Sequence, residues 1–230
     1  MSRPRMTATI ALGASIATAL GCALQASAPP TGPMSFFVTS TGLGKGGDLG
    51  GLQGADRHCQ ALAQAAGAGH RTWRAYLSTQ GNSFTDASVL HARDRIGTGP
   101  WFNVKGVLIA ANVEELHSAK NNVTKDTALT EKGEVVNGSG DKPNRHDMLT
   151  GSRPDGTAFP PTNLFADMTC GNWTKSGKEG SAMTGHHDKR GPVPYGWAIS
   201  WNSAHPTVGC DPASVRSTGG DALLYCFAAN

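Results

Sequence analysis

The residues best suited to chemistry are histidines and aspartates gathered late in the chain: His146-Asp147, His186-His187-Asp188, and His205 beyond them. Imidazole and carboxylate groups supply both metal centres and acid–base pairs. Here, however, they lie in polar, glycine-flanked stretches, and adjacent histidines lack the i, i+4 spacing of a helical zinc-protease pair. The expectation is therefore of exposed loop residues and no metal site. Ser203, His205 and Asp211 are the residue types of a nucleophilic triad, but no nucleophile elbow surrounds the serine, so no catalytic residue is assigned. Tyr195, Trp197, Ile199 and Trp201 alternate as one face of a strand. Burial is the ordinary use of such aromatics, and stacking on a ligand the functional one. Asn202, one residue out of phase, is expected to face the loop surface.

The elements that must position these groups begin with residues 48–79. Ala55, Cys59, Leu62, Ala63 and Ala66 recur at helical spacing, and Gly67 and Gly69 stop the helix. Trp73, Ala75 and Leu77 then alternate with polar residues as a half-buried strand. Earlier, Ser35–Ser40 reads as a first strand. Phe84, Val89 and Leu90 are expected to tuck a short turn under the core. Val104–Ala111 reads as a strand broken by Gly106, and Asn112 with Glu115 forms a capping box. From Ser118 to Pro161 turn-formers dominate, with a hairpin expected at Glu134–Val136. Cys170–Trp173 is expected to open a strand. Leu223–Phe227, continuous and apolar, belongs in the centre of a sheet.

Arg3 and Arg5 precede a run of apolar and small residues ending in Ala26-Ser27-Ala28, the layout of a secretory signal peptide. The division expected is a signal at 1–28, a linker at 29–34 and one domain at 35–230. Cys22 follows a poor lipoprotein box, so a lipid anchor there is not favoured. The formal charge is +3, and removal of the leader leaves 18 basic against 17 acidic residues. That balance excludes a nucleic-acid footprint. No long apolar stretch follows the leader, so no transmembrane span is expected. A chain secreted to the periplasm or extracellular space would pair its four remaining cysteines, Cys59, Cys170, Cys210 and Cys226, in one of three ways.

The stretch GGLQGADRHCQALAQAAGAGHRTWRAYLS, followed by LTGSRPDGT, TCGNWT and LLYCF, resembles the C-type lectin-like fold, and within it the endostatin module of collagens. The resemblance implies an α+β domain with short helices on a mixed, mainly antiparallel twisted sheet, a long loop region, and nested disulfides Cys59–Cys226 and Cys170–Cys210. Calcium-dependent lectins of this fold use Glu-Pro-Asn and Trp-Asn-Asp motifs. The matching places here read Lys142-Pro143-Asn144 and Trp201-Asn202-Ser203. A charged lysine cannot coordinate a cation and serine removes a carboxylate, so the calcium motif is degraded and no cofactor is expected. The N-terminal histidine cluster of endostatin zinc sites has no counterpart here. Arg71, Arg74, Arg93 and Arg95 would form at most a modest basic patch.

These observations lead to the expectation of a secreted, non-catalytic lectin module. It would bind extracellular carbohydrate through Asn144, Asp147, Trp201, Asn202, Ser203 and His205. The alternative is a protein-binding or adhesion module on the same scaffold. An enzyme of formylglycine-generating-like architecture is a remoter one, since it needs reactive cysteines.

Overall fold

A computed structural model describes Met1 and residues 31–230. The leader with Cys22, apart from Met1, and the first two linker residues lie outside the described residues. The described elements run β1 (Phe36–Val38), α1 (Gly51–Ala65), β2 (Trp73–Ala75), α2 (Ala92–Arg95), β3 (Trp101–Phe102), β4 (Leu108–Ala110) and α3 (Val113–Leu116). They continue with β5 (Asp147–Leu149), α4 (Cys170–Trp173), β6 (Thr184–His186), α5 (Pro212–Ser217), β7 (Gly220–Leu223) and β8 (Tyr225–Ala228). This is a mixed α+β fold with short helices and mostly antiparallel pairing. None of the described helices is long and apolar enough to cross a membrane.

The reason β8 is apolar throughout is its place between β1 and β2, both antiparallel to it, with Phe37 and Ala75 each opposite Cys226. Side chains alternate across a strand, and here both faces are covered. Phe37, Ala75, Cys226 and Ala228 feed one core cluster, whereas Phe36, Val38, Tyr225 and Phe227 feed the other. Helix α1 lays Ala55, Cys59 and Ala63 on the first cluster. A disulfide joins Cys59 to Cys226, and a second joins Cys170 to Cys210. In the chain-entropy view the longer loop stabilises by about 5 kcal/mol and the shorter by about 4.

A second sheet carries the chemistry. β5 lies between β6, antiparallel with Asp147 opposite His186, and β7, parallel with Asp147 opposite Gly220. The capping expectation at Asn112 is met: its side chain accepts from the Glu115 amide at 2.8 Å.

Other expectations fail for identifiable reasons. Tyr195–Trp201 is not a strand: Gly196–Ile199 forms a 3-10 turn, leaving Trp197 exposed while Trp201 is buried against Tyr76 and Tyr225. Cys170–Trp173 is a helical turn containing left-handed residues, capped by the Thr169 side chain. Phe84 and Leu90 are exposed, and Ala92 and Ile96 fill the core in their place. At the end of the expected linker, Thr31 bridges to Val107 and Met34 packs on the core. The basic patch does not form as expected, because Arg74 and Arg95 both pair with Asp56.

Candidate metal centre

Asp147 opens the central strand of the second sheet, and its side chain is 1 % exposed. Three imidazoles surround it. His146 precedes it in the chain, with Nε2 3.2 Å from Asp147 Oδ1. His186 faces it across the β5–β6 pair, with Nε2 3.3 Å from the same oxygen. His205 arrives from the loop after Trp201, with Nε2 at 3.6 Å and its side chain 28 % exposed. The His146 and His186 rings stack at 4.1 Å between centroids, and His205 meets His186 edge-on at 5.0 Å.

The outward nitrogens are held. His146 Nδ1 lies 3.2 Å from Asp188 Oδ1, His186 Nδ1 2.8 Å from the Ala198 carbonyl, and His205 Nδ1 3.2 Å from the Pro206 carbonyl. An acceptor at Nδ1 places the proton there and leaves Nε2 with a free lone pair, the tautomer a metal requires. Three such lone pairs and a carboxylate oxygen then face one another. Both Asp147 oxygens and His186 Nε2 are buried without a hydrogen-bond partner. The short nitrogen–oxygen distances are thus close approaches that lack hydrogen-bond alignment.

Orphaned buried polar atoms cost about 1–3 kcal/mol each, and more for charged groups, unless something satisfies them. One ligand atom from each of His146, Asp147 and His186 lies within 4.8 Å of the others. That donor set fits a cation that takes nitrogen and oxygen together, such as zinc. The backbone also leaves room. Gly219 (φ +113) borders His146, and a Cβ there would stand 3.2 Å from Nε2.

Electrostatics around the cluster follow from its neighbours. Burial opposes charge on His186, yet the Asp147 carboxylate and the Ala198 carbonyl more than offset it and hold its pKa above the ordinary value. Burial also works against an ionised Asp188. Nonetheless His146 and the backbone amides of Ser139 and Arg190 keep its carboxyl well below the usual range. Asp188 is therefore an anion behind His146. His187 is excluded from the cluster: burial lowers its pKa, and its Nε2 contacts the Asn137 carbonyl at 3.3 Å.

These positions overturn the exposed-loop reading, since His146, Asp147, His186, His187 and Asp188 are all buried. They equally overturn the expectation of a non-catalytic, cofactor-free carbohydrate-binding lectin, because a compact set of metal-ligating atoms is built into the second sheet. Calcium is not the ion this set suits. Two of its three donors are imidazoles, where calcium takes six to eight oxygens, and Asp141 is instead paired with Lys125 at 2.5 Å.

Of the six residues expected to bind ligand, the fold brings Asp147 and His205 together. Asn144 stands at the margin, its side chain accepting from the His146 amide at 3.2 Å. Trp201, Asn202 and Ser203 belong to a neighbouring cleft. Asn202 does not face the surface: it is 1 % exposed and donates to Tyr76 Oη and to the Arg153 and Pro154 carbonyls. Asp211 caps α5 through the Ala213 and Ser214 amides, so it forms no triad with Ser203 and His205. His146 and His186 are the donors missing from the expected set, and the signal for them was an Asp147-Met148-Leu149 strand directly after a histidine. No protein-family model matches the chain, and no curated protein matches it.

Proposed function

We propose that this chain is a metalloprotein in which His146, Asp147 and His186 hold a zinc-type divalent cation, with a position left open for water-activating, hydrolytic chemistry. The observation that carries the reading is the convergence of imidazole Nε2 atoms on a buried carboxylate whose two oxygens have no hydrogen-bond partner. Three protein donors with a free position are the pattern of catalytic rather than structural zinc. A bound ion of this kind lowers the pKa of water and polarises a carbonyl or phosphoryl oxygen.

His205 lies on the solvent side, outside the tight trio, and its partly exposed ring is placed to bind or release a proton at Nε2. Asp188 fixes the tautomer of His146, and the Ala198 carbonyl that of His186. All four described cysteines are joined in disulfides, so thiol chemistry is not available to them. The same disulfides suit an oxidising compartment, where redox-inert zinc is a better occupant than ferrous iron. A C-type lectin-like, endostatin-like scaffold remains part of the reading. It is supported by the tie from α1 to the last strand, with the second disulfide nested inside it.

Metal analysis after zinc loading tests the centre, and EDTA-sensitive hydrolysis of activated esters and phosphodiesters tests its activity. About one zinc per chain, lost in His186→Ala, is the expected result. A chain that retains no zinc and melts identically with zinc and with EDTA would refute the proposal.

A further inference from the structure

Beside the metal centre, and separate from it, lies a cleft of about 540 Å³, within the range of small-molecule sites. Trp197, Ile199, Trp201 and Pro154 give it apolar walls. Its polar margin is largely committed already. His117 directs Nδ1 to the Val113 carbonyl at 2.7 Å and Nε2 to Tyr76 Oη at 2.7 Å, and Asn202 donates to three internal oxygens. Burial lowers the pKa of His117, leaving it neutral at neutral pH.

Lys189 differs. It is half-buried and lines the cleft, and its side chain makes one hydrogen bond, from Nζ to the Asn121 carbonyl at 3.1 Å. An ammonium has three donors. No carboxylate among the described residues pairs with it within 4.0 Å. Its backbone is held at φ +51, a conformation unfavourable for a lysine, by the turn that leaves β6. A cation removed from water without a counter-ion is costly unless something else supplies the charge.

We infer that the cleft is a binding site for a small monocarboxylate with a flat apolar body, its carboxylate on Lys189 and its body against Trp197 and Trp201. A single flexible ammonium, with no arginine fork beside it, matches one negative charge better than a phosphate dianion. Trp197 is 52 % exposed, so a ligand lying on it removes apolar surface from water. The site needs no metal, although Trp197 also meets the His205 ring, at 6.5 Å between centroids.

The test is isothermal titration of the disulfide-intact chain with 2-naphthoate and with the neutral 2-naphthylmethanol, in EDTA and again after zinc loading. Saturable naphthoate binding, at least about tenfold tighter than the alcohol and present in EDTA, is the expected result, because charged hydrogen bonds add this much. Lys189→Gln, checked by melting to be folded, should reduce the acid to the level of the alcohol, and Trp197→Ala should weaken both. Equal binding of acid and alcohol, no binding of either, or indifference to Lys189→Gln would overturn the inference. So would naphthoate binding that requires zinc, which would place the carboxylate on the metal. Failure of the metal centre, read separately by zinc analysis, leaves these outcomes unchanged.

Discussion

Two buried aspartates, one on the helix packed against the first sheet and one in the second sheet, stand under opposite conditions. Asp56, on α1 against the first sheet, accepts from Arg95 Nη2 at 2.9 and 2.8 Å, from Arg74 Nη1 at 2.8 Å and from the Ala75 amide at 2.9 Å. Asp147, in the second sheet, has imidazole nitrogens farther off, at 3.2, 3.3 and 3.6 Å, and no hydrogen bond to either oxygen. Asp56 is complete as it stands: its charge is matched and it locks α1 to β2 and α2. Asp147 has donor atoms arranged about a point that none of them fills. A satisfied buried carboxylate is architecture, whereas an unsatisfied one ringed by lone pairs is a site.

The sharpest way to break this comparison is to change each aspartate and read both metal affinity and stability. Asp147→Asn should weaken zinc binding by about a thousandfold or more, since an anionic donor is lost from the cluster. Above the pH at which His186 loses its proton, its melting temperature without metal should hold or rise, because a buried carboxylate without a partner is gone. Below that pH the pairing with His186 is lost as well and the melting temperature should fall. Asp56→Ala should do the reverse, destabilising the fold by about 3–5 kcal/mol by stranding Arg95, a cost read from denaturant unfolding. Zinc affinity of the folded Asp56 variant should match the parent. Similar behaviour of the two variants would erase the distinction.

A smaller effect is expected one step outward. Asp188→Asn removes the anion behind His146 while keeping its shape, and should cost about 10–100-fold in zinc affinity by direct titration. No change would mean that Asp188 serves its loop through Ser139 and Arg190 alone.

The smallest effect is a pH dependence of opposite sign in the two states. In the metal-free protein the pKa of His186 is raised, so its pairing with Asp147 stabilises fully below the ordinary histidine value of 6.5 and is lost as pH rises through the raised value. Zinc competes with that proton, so affinity should increase over the same window. Melting of the EDTA-treated and zinc-loaded protein between about pH 5 and 8 checks both slopes.

Much of the first sheet was legible because its determinants are local. The Ala55, Cys59 and Ala63 face and the apolar run ending in Phe227 each declare themselves within a few residues, as does the Asn112 cap of α3 outside that sheet. The metal centre depends on a different kind of information. His146 and His186 meet only because β5 pairs with β6 in the register that sets Asp147 opposite His186. That pairing spans a stretch with almost no periodicity, and the surrounding glycines read as loop. In fact Gly185, Gly219 and Gly220 permit close packing: a Cβ on Gly185 would stand 1.9 Å from the Trp201 carbonyl oxygen. Asn202 misled for a related reason. Alternation holds only in a strand, and the 3-10 turn at Gly196–Ile199 resets which side chains point inward.

The most direct measurement is X-ray absorption at the zinc edge of the zinc-loaded, disulfide-intact protein. The account predicts one zinc per chain with two or three imidazole nitrogens and a carboxylate oxygen at about 2.0–2.2 Å, and loss of the imidazole signature in the folded His186→Ala variant. A shell of oxygens alone, or an imidazole shell that survives His186→Ala, would contradict the assignment of this cluster as the metal centre.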